Sequence, residues 1–153
     1  RTMLKKVNEQ PGFAHIKNIV FDTINGLMVA DEMRRSKEKG YDKWQDLATC
    51  IYYLIDDALV VRPDLNVFFI AHTQTDMDDT GYKFTHIKTS GKKLDKIVLE
   101  SKFSTVLLAK CVDGKYLLET QSERSTAKSP LGMFENREIP NDINIVLKAI
   151  EEF

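Results

Sequence analysis

Two short apolar runs end in residues with chemistry to offer. In "NIVFDTIN" (residues 18–25), Ile19, Val20 and Phe21 lead straight into Asp22. In "NVFFIAH" (66–72), the run stops at His72. Apolar runs without alternation are expected for strands buried on both faces of a parallel sheet. Ligands of open α/β sheets gather at the carboxyl ends of the strands, so consecutive parallel strands would bring Asp22 and His72 to one edge. A carboxylate there suits Mg2+, held largely through water because magnesium keeps part of its hydration shell. An imidazole N–H there can donate to a phosphate oxygen and sense its presence. Each residue also has a plainer use, Asp22 as a helix cap or turn residue and His72 as a hydrogen-bonded strand end.

The element between the two runs must bring them together. Trp44, Leu47, Ala48, Ile51, Ile55, Ala58 and Leu59 recur at three- and four-residue steps, which predicts one helix with an apolar stripe. Asp42 with Gln45 resembles a capping box, and Pro63 marks the end. Strand, helix, strand at this spacing is a βαβ unit. Before it, Leu4 to Asn8 closes a helix that Pro11 and Gly12 would stop.

After it, Thr73 to Lys93 is polar, holds Gly81 and Gly91, and shows no sustained period. A loop of this length in a compact domain is functional or disordered. A short helix over 94–102 leads to "TVLLAK" (105–110), and Asp113-Gly114 turns the chain into "KYLLET" (115–120), an antiparallel hairpin. Ile143, Val146, Leu147 and Ile150 share one helical face, with Asn141 or Asp142 as cap. The predicted class is α/β, with parallel strands first and antiparallel strands at the end.

At 153 residues the chain suits one domain, and its 42% hydrophobic and 29% charged content is ordinary for a globular protein. A net charge of −1 makes any basic surface local. Cys50 and Cys111 lack metal-ligand spacing and are expected to be reduced thiols of a cytosolic protein. No run approaches the roughly 20 apolar residues of a membrane span, and no signal peptide is evident. The start at Arg1 suggests trimming, processing or a segment boundary.

In order and spacing, "NIVFDTINGL", "GYDKWQDLA", "NVFFIAHTQ", "TAKSPLGMF" and "IPNDINIVLKAI" resemble the phage-encoded RecA-like ATPases, some of which act in single-strand annealing and recombination. These belong to the RecA/DnaB group of P-loop ATPases. The resemblance implies a single RecA-like core over 1–153, a three-layer sandwich with a mostly parallel central sheet and antiparallel C-terminal strands. It implies ATP and Mg2+ as cofactors, a homo-oligomeric ring or filament, single-stranded DNA as partner, and a cytoplasmic location, that of the host cell if the protein is phage-encoded.

The same resemblance assigns roles. Asp22 looks like the metal-holding aspartate of the family, and Thr23, a cofactor contact by the same resemblance, follows it where many AAA proteins place a catalytic glutamate that RecA-like members take from an earlier strand. His72 looks like the sensor of the terminal phosphate, flanked by Thr73 and Gln74. The segment after His72 resembles a DNA-facing loop and carries Lys83, Lys88, Lys92 and Lys93, with Tyr82 and Phe84 interleaved. Cations beside aromatics suit single-stranded nucleic acid, although Asp76, Asp78 and Asp79 would repel phosphate. "TAKSPLG" resembles the segment that reaches a neighbouring subunit's nucleotide. Lys128 matches its lysine, Pro130 replaces the expected arginine, and Arg124 is the nearby substitute. A cationic finger of this kind stabilises charge on a transferred phosphoryl group.

The pattern G-x-x-x-x-G-K-[ST] occurs nowhere in the sequence. The sheet of such a protein would therefore lack its phosphate-loop strand, between the His72 strand and "TVLLAK". Three explanations follow: a fragment of a longer ATPase, a second chain supplying the loop, or a non-catalytic interaction module that keeps the fold. Under the first two the chain alone is inactive. A metal-hydrolase alternative uses His72, Asp76, Asp78 and His86, without diagnostic ligand spacing.

Overall fold

Apolar residues at helical spacing bury one face, and the segment from residue 41 onward does so. The computed structural model describes residues 1–89 and 98–153. They form a mixed α/β structure of two compact units, Arg1–His72 with Lys88–Leu99, and Thr73–Ile87 with Glu100–Phe153.

The first unit holds α1 (Thr2–Glu9), β1 (Asn18–Asp22), α2 (Ile24–Arg34), α3 (Tyr41–Leu59) and β2 (Asn66–Ile70). In α3 the predicted Leu47, Ala48, Ile51 and Ile55 are buried, and Leu54 joins them. Trp44 and Leu59 stay exposed at the two ends. Gly40, without a side-chain cap, precedes the helix, and Asp42, expected as the cap, lies in its first turn. Leu4 and Val7 of α1, Ile24 and Met28 of α2, Leu65 and Leu99 complete this core. The Arg62 guanidinium donates to the carbonyls of Val7, Phe13 and Ile16, and its backbone N–H donates to Asn8 Oδ1 at 2.7 Å. One side chain thus fastens the α1–β1 connection to the entry of β2.

β1 and β2 pair in parallel, Asn18 opposite Asn66 through Asp22 opposite Ile70, with the Phe21 and Phe69 rings stacked at 4.9 Å. The pairing agrees with the predicted βαβ unit. The expected burial on both faces does not hold: Val20 is 56% and Ile70 46% exposed. Among the described residues this sheet has two strands, so one row of side chains faces solvent.

The second unit begins with β3 (Thr73–Met77) and β4 (Lys83–Ile87), an antiparallel hairpin where an irregular loop was expected. Gly81 N–H closes its turn on Asp78 O at 3.0 Å, with Gly81 at φ +83°, a conformation open to glycine. Asp78 Oδ1 accepts from the N–H groups of Thr80 and Tyr82 at 2.9 and 3.0 Å. Of the helix expected over 94–102, the described part is one 3-10 turn, Leu99–Lys102.

β5 (Leu108–Val112), β6 (Lys115–Glu119) and β7 (Glu138–Pro140) form an antiparallel sheet. Asp113 and Gly114 both have positive φ, as a two-residue hairpin turn demands. β5 starts later than expected because Val106 exchanges backbone hydrogen bonds with Lys128, at 2.8 and 2.9 Å. α4 (Ile143–Glu152) is capped by Asp142, which accepts from Asn144 N–H at 2.9 Å.

The described strands therefore form one parallel pair and two antiparallel sheets, and the three-layer sandwich with a mostly parallel central sheet does not appear. A ladder needs a strand at every position, and no described strand pairs with the outer edge of β2.

Candidate functional site

The edge at the carboxyl ends of β1 and β2 is built by three elements. Parallel register sets Asp22 opposite Ile70, two residues before His72. The chain turns at once into α2: Thr23 is its cap, and Thr23 Oγ1 accepts from Gly26 N–H at 3.0 Å. The hydroxyl that sequence reasoning offered to a cofactor is thus engaged in helix initiation. Asp22 and His72 are both solvent-exposed.

Asn25, which sequence reasoning missed, joins them. It sits in the first turn of α2 and is 8% exposed. Its Oδ1 accepts from His72 N–H at 2.7 Å, and its Nδ2 donates to Lys88 O at 2.5 Å. Lys88 N–H in turn donates to His72 O at 2.8 Å. A buried carboxamide with both ends satisfied holds its partners in one geometry. Lys88, expected on a DNA-facing loop, belongs with His72 to the first unit.

The remaining candidates lie on the second unit or beyond description. Thr73 and Gln74 open β3. Gln74 Nε2 is 3.3 Å from His86 Nε2 and 3.4 Å from the Asp76 carboxylate. Lys83 opens β4, where Phe84 lies directly opposite Asp76. The Arg124 guanidinium lies 5.9 Å from the Tyr82 ring centroid, the Tyr82 hydroxyl donates to Glu123 O, and Arg124 O accepts from Thr85 N–H at 2.8 Å. Lys128 is half-buried, with its backbone held by Val106. Lys92 and Lys93 fall outside the described residues.

Of the residues of the metal-hydrolase alternative, Asp76, Asp78 and His86 are occupied otherwise. Asp76 Oδ2 pairs with His86 Nε2 at 2.9 Å, and this bond chiefly holds the Asp76 carboxyl below its ordinary pKa. Asp78 is lowered too, first by the Thr80 hydroxyl and then by the Tyr82 N–H. Among the described residues no group of three or more His, Cys, Asp or Glu side chains is placed to hold a metal. A single exposed carboxylate such as Asp22 suits only an ion that takes its other ligands from water and a bound phosphate, as Mg2+ does. No helix among the described residues is long and apolar enough to cross a membrane.

Comparison with protein-family models, with curated proteins and with solved structures finds no match to this chain.

Proposed function

We propose that the chain is the metal- and sensor-bearing part of a RecA-like, phage-type ATPase that acts on single-stranded DNA in recombination or replication. The loop that grips the phosphates comes from polypeptide outside these 153 residues, of the same protein or of a second chain. The observation that carries this proposal is that Asp22 ends β1 opposite Ile70, two residues before His72, and that Asn25, in the first turn of the helix that follows Asp22, accepts from His72 N–H. Bound Mg2+ would neutralise charge on the phosphates. Asp22 would hold it through its carboxylate, and the exposed imidazole of His72 would donate to a terminal phosphate oxygen. On the second unit, Tyr82, Phe84, Lys83 and Arg124 would meet single-stranded DNA by stacking and phosphate contact. Lys128 and Arg124 are the candidates for a cationic finger toward a neighbouring copy's nucleotide.

Nucleotide binding in the presence of Mg2+ tests the proposal. The chain alone should bind ATP only weakly, and tight binding by residues 1–153 would refute an incomplete site. Once joined to a phosphate loop, the protein should hydrolyse ATP, and Asp22→Ala should abolish the activity.

One observation favours a non-catalytic interaction module instead. Val20 and Ile70 are exposed on the same sheet face as Asp22, where a protein partner would cover them. Failure of every form to bind nucleotide or DNA would favour this second reading.

A further inference from the structure

His72 and Lys88 leave one backbone rung from opposite sides. Thr73 and Ile87 are register partners, and the bond from Lys88 N–H to His72 O continues that register by one step. An antiparallel pair of this kind normally exchanges two bonds. Here the second is replaced by Asn25, whose carboxamide stands between His72 N–H and Lys88 O. Residues directly opposite in such a pair carry side chains on the same face, with Cβ atoms roughly 5 Å apart. An imidazole N–H and an ammonium are therefore presented side by side, both exposed. Their root is fixed by a side chain only three residues after Asp22.

We propose that His72 and Lys88 form a two-point site for the terminal phosphate of a polyphosphate, with Asn25 as its positioning residue. The proposal rests on the nucleotide assignment of the Asp22 edge and adds a cation to it. Lys88 Nζ supplies up to three donors and a full charge, and His72 supplies a directed donor. A tetrahedral oxyanion can accept from both at once. Asp22 would repel that phosphate unless a divalent cation lies between them, which separates the roles of the two halves of the edge. Lys88 thereby serves the phosphate edge, whereas Lys83 stays with the hairpin.

The test is titration of the 153-residue chain with sodium tripolyphosphate, with and without Mg2+. Nuclear magnetic resonance would follow the His72 imidazole, the Asn25 carboxamide and the backbone amides. Signals of His72, Asn25 and Lys88 should shift together. Lys88→Gln should weaken binding about tenfold, as expected for losing a charged hydrogen bond, and Lys115→Gln should leave it unchanged. Asn25→Asp keeps the acceptor for His72 N–H and loses the donor to Lys88 O. It should weaken binding and move the His72 imidazole signal while the other core amides hold their positions. Wild-type affinity in Lys88→Gln, or fixed His72 and Lys88 signals at saturation, would overturn the site. Tripolyphosphate binding at these residues that ignores Mg2+ and Asp22→Ala would uphold the site and sink the nucleotide assignment. Binding of ATP that needs Asp22 but survives Lys88→Gln would do the reverse. Stronger displacement of the same signals by oligo-dT would mark a phosphodiester ligand and overturn the polyphosphate assignment.

Discussion

His86 Nε2 lies 2.9 Å from Asp76 Oδ2, one diagonal step across the β3–β4 register. Nε2–H is the donor and the carboxylate the acceptor, and Gln74 Nε2 approaches the same carboxylate at 3.4 Å. The Asp76 carboxyl is consequently held below its ordinary pKa, with the His86 bond as the largest cause. A depressed carboxyl contributes stability that is present above the unfolded value of about 3.9 and lost as pH falls through the folded one. The hairpin should therefore loosen only in acid below about pH 4. Asp76→Asn should reduce that acid dependence to the share of Asp78, whose carboxyl is also lowered in the turn. Acid titration of the amide signals of residues 73–87 checks this, and identical profiles for the two proteins would refute it.

The interior of the first unit depends on α3. Ile55 is 0% exposed while Trp44, about three turns away on the same predicted stripe, is 38% exposed. Ile55→Ala should cost about 3 kcal/mol through lost burial and a residual cavity. Trp44→Ala should cost under about 1 kcal/mol, in the range of partly exposed sites. Urea denaturation of both variants measures the difference.

Helical spacing made α3 legible because its buried face repeats every three to four residues, and the parallel pairing of β1 and β2 was legible as two apolar runs separated by a helix, whereas their register was not. The hairpin at Thr73–Ile87 was hidden because "TQTDM" and "KFTHI" show no alternation of apolar with polar residues. Their pairing rests on backbone bonds and on Thr75 Oγ1 meeting Thr85 Oγ1 at 2.8 Å. Asp22 and His72 were visible as residues that end apolar runs. Asn25 was not, since a lone asparagine in a first helical turn has no period, and its partners are 47 and 63 positions away.

Thr23 separates a structural from a ligand-binding role. Its hydroxyl caps α2 by accepting from Gly26 N–H, and loss of a cap costs about 1 kcal/mol. Thr23→Val should lower stability by about that amount, whereas Thr23→Ser should be nearly neutral. Denaturation midpoints without any nucleotide decide the matter. An unchanged midpoint in Thr23→Val would return the hydroxyl to the list of possible cofactor contacts.

Single-stranded DNA binding should be decided on β4 and its turn. Alternation along the strand puts Phe84 and His86 on one face with Gln74 and Asp76, and Phe84 is directly opposite Asp76. Phe84 is partly exposed, and Tyr82 beside Arg124 presents a second ring. A base stacked on an aromatic side chain contributes roughly 1–3 kcal/mol, so Phe84→Ala should weaken oligo-dT binding about tenfold. Asp76 adds a negative charge beside that ring. Asp76→Asn should therefore strengthen binding a few-fold, and more at low salt, because screening shortens the reach of an exposed charge. Lys83→Gln should instead weaken binding and flatten its dependence on salt, as the loss of one phosphate contact does. Fluorescence anisotropy of a labelled oligo-dT at two salt concentrations reads all three variants. If Phe84→Ala binds as the wild type does, this face of the hairpin does not contact DNA, and unchanged binding by Lys83→Gln rules out a phosphate contact on the opposite face, where alternation puts Lys83.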